Sequence, residues 1–192
     1  KDLWLSNILK KKCFITNDHN DIPTFKNYKD SFIFLKTPKS LDNSVIKKNE
    51  LLYLGKNQTF EKKLKKTNNY QVKKDIFYKT KLKKNEIKKL GDIAYKNFKY
   101  SRFHLDRRLS FKKSNLIKKR WVQNYFAGMR GEKIYVQFYK NKISGFLLYR
   151  YEKLDTARID LICIDKKFAG KGLAKDMMNY SFKKLYSENR KK

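Results

Sequence analysis

Glycine, proline, cysteine and histidine are all scarce in this chain, which has seven, two, two and two of them among 192 residues. The two cysteines, Cys13 and Cys163, lie far apart. With two histidines, they offer neither a metal site nor a disulfide framework. We therefore expect free thiols, no bound metal and a cytoplasmic protein. No run of about twenty apolar residues occurs, so no membrane span is predicted.

Acidic residues are also few, with 18 Asp and Glu against 49 Lys and Arg, which gives a formal net charge of +31. Such an excess usually indicates a polyanionic partner. Here it is mostly lysine spread along the whole chain, and no arginine precedes Arg102. Arginine is the better reader of phosphates and bases. Nucleic-acid binding is therefore a lesser alternative, and we expect a basic surface that attracts anionic small molecules.

The pattern of apolar residues divides the chain into two predicted domains. Residues 1–70 form a small N-terminal α/β domain with an irregular beginning and a strand at 31–36. Residues 51–54 and 58–64 give weaker strand or helix signals, and the polar stretch 65–71 is a candidate linker. Residues 71–192 form the second domain.

The second domain has a sharper pattern of strands and helices. Strands are predicted at 76–78, 134–138, 143–151 and 156–164, and a helix at 173–186. Two further helices would begin at the caps Asn85 and Ser114, with a polar, aromatic loop at 100–106 between them. The order β-α-α-β-β-β-α predicts a mixed α/β (α+β) fold, in which a mainly antiparallel sheet is flanked by helices.

The strongest functional pattern is the stretch 165–177, D-K-K-F-A-G-K-G-L-A-K-D-M. It joins the apolar strand 156–164 to a helix through Gly170 and Gly172. Backbone N–H groups at a helix N-terminus point outward, and the helix dipole there favours negative charge. Glycine allows the backbone to approach a ligand closely. The stretch therefore predicts an anion site, and the alternative is a tight turn that binds nothing.

This stretch resembles the coenzyme A turn of the GCN5-related N-acetyltransferase (GNAT) superfamily, whose pattern is Q/R-G-x-G-x-G/A. Gly170, Gly172 and Ala174 match, whereas Ala169 stands where the family usually has Arg or Gln. The resemblance implies a GNAT fold, acetyl-CoA as co-substrate, and further strands and a helix beyond Lys192. The residues that it implies for coenzyme binding are Ile162, Cys163, Ile164, Ala169, Gly170, Lys171, Gly172, Leu173, Ala174 and Lys175.

A narrower resemblance lies in the segment S-R-F-H-L-D at 101–106, followed by Trp121 and Asn124. It is similar to dTDP-fucosamine N-acetyltransferases, which acetylate the amine of a dTDP-linked amino-deoxysugar. The resemblance implies a nucleotide-sugar substrate, used in surface polysaccharide synthesis, and candidate substrate contacts at Arg102 and His104. The alternative for His104 is a loop residue hydrogen-bonded to backbone. We also expect a homodimer.

Acyl transfer to an amine needs a base, and Asp160 is the candidate. Strand alternation puts it on one face with Arg158, Ile162 and Ile164, and it could take a proton, directly or through water, if burial raises its pKa. The alternative is an ion pair between Arg158 and Asp160 at the surface. The resemblance implies that the tyrosine that protonates the leaving thiolate lies past the end of this sequence. Another amine, such as a peptide N-terminus or a polyamine, is an alternative acceptor.

Overall fold

The computed structural model describes residues 1–66 and 71–192. These form two compact units, one of Lys1–Lys56 with Tyr100–Ile117, the other of Asn57–Lys99 with Lys118–Lys192. The predicted domain boundary at residue 70 lies outside the described residues and stays a prediction. The helices and strands are, in chain order, α1 (Leu3–Leu9), β1 (Cys13–Thr16), α2 (Ile22–Lys26), β2 (Phe32–Leu35), α3 (Asn43–Lys48), β3 (Ile76–Lys79), α4 (Lys84–Asn97), α5 (Arg102–Leu105), α6 (Phe111–Phe126), β4 (Lys133–Tyr139), β5 (Lys142–Lys153), β6 (Thr156–Ile164) and α7 (Leu173–Ser187).

The first unit is built around a parallel pair of strands, β1 and β2, in which Cys13 lies opposite Phe32. The strand predicted at 31–36 is confirmed as β2, whereas β1 and α1 were not predicted. Residues 51–54 and 58–64 contain neither helix nor strand, so the weak signals there were wrong. The loop predicted at 100–106 contains the short helix α5.

Two predicted helix caps are wrong by a few residues. Helix α6 begins at Phe111, and the Lys113 N–H donates to Ser110 Oγ (3.3 Å). Ser114 lies inside the helix, where its hydroxyl donates to the Phe103 carbonyl (2.6 Å). Helix α4 begins at Lys84, one residue before the predicted cap Asn85. Local sequence placed the helices correctly, because their apolar spacing is clear, but it did not resolve which polar residue ends the preceding loop.

The second unit contains a four-stranded sheet in the order β3-β4-β5-β6, with every neighbouring pair antiparallel. This confirms the predicted mainly antiparallel sheet with flanking helices, and β6 has the predicted bounds. A buried cluster lies between α7 and one face of the sheet. Its members are Tyr135, Leu147 and Tyr149 from the sheet and Met177 and Leu185 from α7. Helix α4 contacts β5 and β6.

A β-bulge interrupts β6 at Asp160. Leu148 lies opposite Leu161 and Tyr149 lies opposite Ile159, so Asp160 has no residue opposite it on β5. A bulge shifts the alternation of side chains by one residue. Ile159 and Ile162 therefore both pack against the cluster under α7, while Asp160 contacts α6.

The expectation that Asp160 shares a face with Ile162 and Ile164 is therefore wrong. Both isoleucines pack beside the cluster under α7. An inserted residue in the middle of a strand leaves no mark in an otherwise regular apolar pattern, so alternation counted along the sequence goes out of step at this point.

Among residues 1–66 and 71–192, no helix is long and apolar enough to cross a membrane. The same residues contain no group of three or more His, Cys, Asp or Glu side chains that could hold a metal ion. Both cysteines are free and buried.

Candidate functional site

The glycine turn joins β6 to α7 in the manner that the sequence predicts. A single 3-10 turn at Lys166–Phe168 follows β6, and Gly170 and Gly172 then adopt positive φ angles of 78° and 72°. Gly172 is the N-cap of α7, and no side chain caps the helix there. Positive φ values are readily accessible only to glycine, so these two residues define the path of the turn.

The first backbone N–H groups of α7 have no acceptor within the helix. The Asp176 N–H donates to the Gly172 carbonyl (3.1 Å). The N–H groups of Leu173, Ala174 and Lys175 come before this first helical bond, and an α-helix has no internal acceptor for them. Every residue from 169 to 175 except the buried Leu173 is exposed. An anion can therefore reach these donors, and the helix dipole favours it.

A buried glutamine fixes the first turn of α7 to the sheet. The Gln137 side chain lies on β4 and has no exposed surface. Its amide nitrogen donates to the Leu173 carbonyl (3.0 Å) and to the Tyr78 hydroxyl (2.8 Å), and its amide oxygen accepts from Ser144 Oγ (3.0 Å). The side-chain amide thus makes its three hydrogen bonds within the protein, and these hold the start of α7 in one position. Gln137 could not be predicted as a functional residue, since one polar residue in an apolar strand gives no signal of its partners.

Strand β6 presents backbone groups at the edge of the sheet. The Asp165 N–H donates to the Ser144 carbonyl on β5 (2.8 Å). Because backbone groups alternate along a strand, those of Ile164 and Ile162 point away from β5, toward the outer edge. At the start of this edge, the Lys191 N–H donates to the Asp155 carbonyl (2.8 Å), and Lys192 also bonds there. Lys192 donates to the Asp155 carbonyl (3.1 Å) and accepts from the Ala157 N–H (2.9 Å).

The two strands approach closely just before the turn. Gly145 on β5 lies opposite Ile164. A Cβ atom added at Gly145 would overlap the carbonyl oxygen of Cys163. Only glycine fits at this position, so it sets the spacing of β5 and β6 at the end that leads into the glycine turn.

Cys163 does not have the properties of a reactive thiol. Its side chain is buried, and burial, with a smaller contribution from the Asp165 charge, raises the pKa of the thiol to about 12. The nucleophile in thiol chemistry is the thiolate. At neutral pH, Cys163 therefore contributes its backbone and its packing.

Asp160 is held by donors from α6 and from the connection that follows it. Its carboxylate accepts from Trp121 Nε1 (2.8 Å), Tyr125 Oη (2.8 Å) and Arg130 Nε and Nη2 (2.7 and 3.1 Å). Burial acts to raise the pKa of Asp160, but the hydrogen bonds from Arg130 and Trp121 outweigh it, and the pKa is lowered.

The pKa of Asp160 is therefore not raised, as the role of base requires, and the alternative of a surface ion pair with Arg158 is wrong. Arg158 instead bonds to Glu152 (2.9 Å). The catalytic role of Asp160 stays a prediction, and a carboxylate with a lowered pKa and four hydrogen bonds is a poor base. The sequence did not pair Asp160 with Arg130, because no spacing rule connects residues 30 positions apart in this way.

Both candidate substrate residues, Arg102 and His104, lie in the first unit. His104 is buried, with Nδ1 bonded to Ser101 Oγ (2.7 Å) and Nε2 to Asn115 Oδ1 (2.8 Å). Both ring nitrogens are thus engaged by side chains, not by backbone as the alternative had it. The Arg102 guanidinium stacks over the Phe34 ring, 4.1 Å from its centroid. Their role in binding substrate stays a prediction.

No protein-family model matches the chain, and no curated protein sequence matches it. Solved structures with a partial likeness include a GNAT-family protein of Desulfovibrio desulfuricans (8% identity, TM-score 0.47, covering 60% of this chain and 68% of that one). Another is the ribosomal-protein-S18-alanine N-acetyltransferase of Escherichia coli (16% identity, TM-score 0.40, covering 58% of this chain and 60% of that one). A third is a GNAT family acetyltransferase of Elizabethkingia anophelis with acetyl-CoA bound (16% identity, TM-score 0.43, covering 62% of each chain). The chain thus spans less than two thirds of the last two proteins. Similarities of this extent do not by themselves assign an activity to this chain.

Proposed function

We propose that the chain is an acetyl-CoA-dependent N-acetyltransferase with a GNAT-type fold. The observation that carries the proposal is the junction of β6 and α7. There, a glycine turn with outward N–H groups continues directly from an edge strand whose backbone groups face outward at Ile162 and Ile164. This arrangement suits a long ligand that has phosphates at one end and an amide-containing arm.

The coenzyme would bind through backbone groups. Its pyrophosphate would accept from the N–H groups at residues 170–175, with Lys171 and Lys175 adding positive charge. The pantetheine arm would extend along the edge of β6, past Ile164 to Ile162. Two residues of extended strand span roughly 7 Å, so the thioester would lie near Ile162 and the bulge at Asp160. An outward N–H there would polarise the thioester carbonyl.

Transfer would be direct. The amine nitrogen of the acceptor attacks the thioester carbonyl carbon, the C–N bond forms and the C–S bond breaks. The amine loses a proton and the departing thiolate gains one. A covalent acetyl-enzyme through Cys163 is disfavoured, since the pKa of that thiol is raised to about 12. The lowered pKa of Asp160 also favours a different group, or water, as the proton acceptor.

For the acceptor, we propose the amine of a nucleotide-linked amino sugar. Support comes from the resemblance of the 101–106 segment and from the +31 charge, which favours anionic acceptors. Of the two substrate candidates, Arg102 remains the one whose group could hold a phosphate. A role in polysaccharide synthesis and a homodimer are parts of the same proposal.

Calorimetric titration with acetyl-CoA tests the coenzyme assignment. We expect saturable binding, and an absence of binding at millimolar acetyl-CoA would overturn it. A panel of acceptors, assayed for free thiol release, then tests the substrate class. Activity on dTDP-linked amino sugars supports the proposal, whereas activity confined to peptides or polyamines would replace the acceptor while leaving the coenzyme in place.

A further inference from the structure

Arginine is rare in this chain, yet three arginines gather on the α6-facing side of β5 and β6. The sequence has eight arginines among its 49 basic residues. Three of them, Arg130, Arg150 and Arg158, are here called the arginine cluster. Arg150 and Arg158 lie directly opposite each other on β5 and β6, so their side chains share a face. Arg130 reaches the same face by its bonds to Asp160.

Arg130 is held rigidly and still has donors available. Its Nε and Nη2 atoms bond to Asp160, and its guanidinium lies over the Trp121 ring, 4.1 Å from the centroid. Its side chain is 31% exposed, against 10% for Asp160. Nη1 has no acceptor among residues 1–66 and 71–192. A stacked guanidinium with a fixed orientation and free N–H groups can bind an oxyanion with little loss of side-chain entropy.

Arg150 and Arg158 share a single carboxylate. Glu152 accepts from Arg150 Nη2 (3.3 Å) and from Arg158 Nε (2.9 Å). Arg150 Nε is buried and has no hydrogen-bond partner within the described ranges. The cluster therefore sets three guanidinium groups against two carboxylates, Asp160 and Glu152, and it retains net positive charge and unused donors.

Tyr125 connects the cluster to an open groove. Its hydroxyl donates to the same Asp160 oxygen that accepts from Arg130 Nε. Burial and Asp160 raise the pKa of Tyr125, while the charges of Arg130 and Arg150 oppose the rise. The Tyr125 side chain also lines a groove of about 760 Å³, whose charged residues are Lys81, Lys133, Lys184, Glu132 and Glu188. Lys133 bonds to Glu188 there.

We propose that the arginine cluster binds the phosphate group of the acceptor. This rests on the proposed function, because Asp160 stands two residues before Ile162, where the reactive end of the coenzyme would lie. The cluster is thus beside the end of the coenzyme at which transfer would occur. Paired arginines bind phosphate oxygens bidentately, so the acceptor class would be an amine that carries a phosphate or diphosphate.

Calorimetric titration with inorganic pyrophosphate, in the presence of saturating CoA, tests this site separately from the coenzyme turn. We expect R130Q and R158Q to weaken pyrophosphate binding by roughly tenfold or more, as loss of a charge-assisted contact does. The matched control is R120Q, which removes the same charge from an exposed position on α6, and we expect it to bind within about twofold of the wild type. Equal weakening in all three variants, or none in R130Q and R158Q, would overturn the proposal.

The two test variants differ in their effect on the fold. R130Q removes two bonds from Asp160, whereas R158Q affects an exposed side chain and leaves Glu152 with Arg150. Thermal unfolding followed by circular dichroism identifies a folding defect in R130Q, and R158Q then decides the outcome. A CoA titration of the wild type is run in parallel. If CoA does not bind but pyrophosphate binding still depends on the arginines, the coenzyme assignment fails and the anion site remains.

Discussion

Replacing Gly170 by alanine should weaken coenzyme binding, and the loss of affinity should exceed what a less stable fold alone would cause. Gly170 has φ 78°, and a Cβ added there would meet no atom within 4 Å. Gly128, in the connection between α6 and β4, has φ 67° and the same open surroundings. Alanine at either position therefore imposes a similar backbone strain. The two positions differ in that only Gly170 lies in the turn between β6 and α7.

The expected sizes follow from the geometry. An alanine in the left-handed region costs about 1–2 kcal/mol, so both G170A and G128A should lower the Tm by roughly 2–8 °C. If the turn relaxes to relieve the strain in G170A, the N–H groups after it rotate away from the phosphates. Loss of one hydrogen bond to a charged group costs about 1.5–3 kcal/mol, which corresponds to roughly 10- to 150-fold in Kd.

Calorimetry with CoA and thermal unfolding on the same samples provide the measurement. We expect equal changes in Tm for the two variants and weaker CoA binding in G170A alone. If G170A and G128A bind CoA with the same affinity, the turn does not hold the phosphates, and the coenzyme site lies elsewhere.

Three further substitutions test the surroundings of the site. D160N should lower stability at pH 7 by about 1–3 kcal/mol by weakening the bonds to Arg130. Because the pKa of Asp160 is lowered in the folded chain, the difference in stability from wild type, measured by urea titration, should be constant above about pH 5 and shrink below about pH 4. A difference that grows toward low pH would contradict the direction assigned to this pKa shift. G145A should destabilise by about 1–3 kcal/mol, measured as a lower urea midpoint, since the new Cβ meets the Cys163 carbonyl, and an unchanged midpoint would show that β5 and β6 are not closely spaced there. Q137L should leave buried polar groups without partners, lower stability by about 1–3 kcal/mol and weaken CoA binding, whereas CoA binding equal to wild type would show that the helix start does not depend on this glutamine.

The sequence alone predicted those features that are written in consecutive residues. Strand β6 and helix α7 have regular apolar spacing, and Gly170 and Gly172 lie between them, so the β6–α7 junction could be located without a structure. Strands β3, β4 and β5 were found for the same reason, since alternation over several residues is a local property. The cap of α6 was missed because Ser110 and Ser114 are both chemically suitable, and the cap of α4 because it is Lys83, a residue type that does not favour that position.

The site around Asp160 was decided by tertiary structure. The bulge shifts the alternation of β6, which reverses the face of this carboxylate relative to Ile162 and Ile164. Its partners Trp121, Tyr125 and Arg130 come from residues 30 to 39 positions earlier, and no local pattern connects them.

The direction of a pKa shift depends on which donors surround the group in space. Burial acts to raise the pKa of Asp160, and the hydrogen bonds from Arg130 and Trp121 lower it. The sequence therefore determined where an anion-binding turn would form, because the backbone makes it from adjacent residues. Only the packing of α6 against β6 decided how Asp160 and Arg130 interact. Their charges act over distances in space, and the sequence does not give those distances.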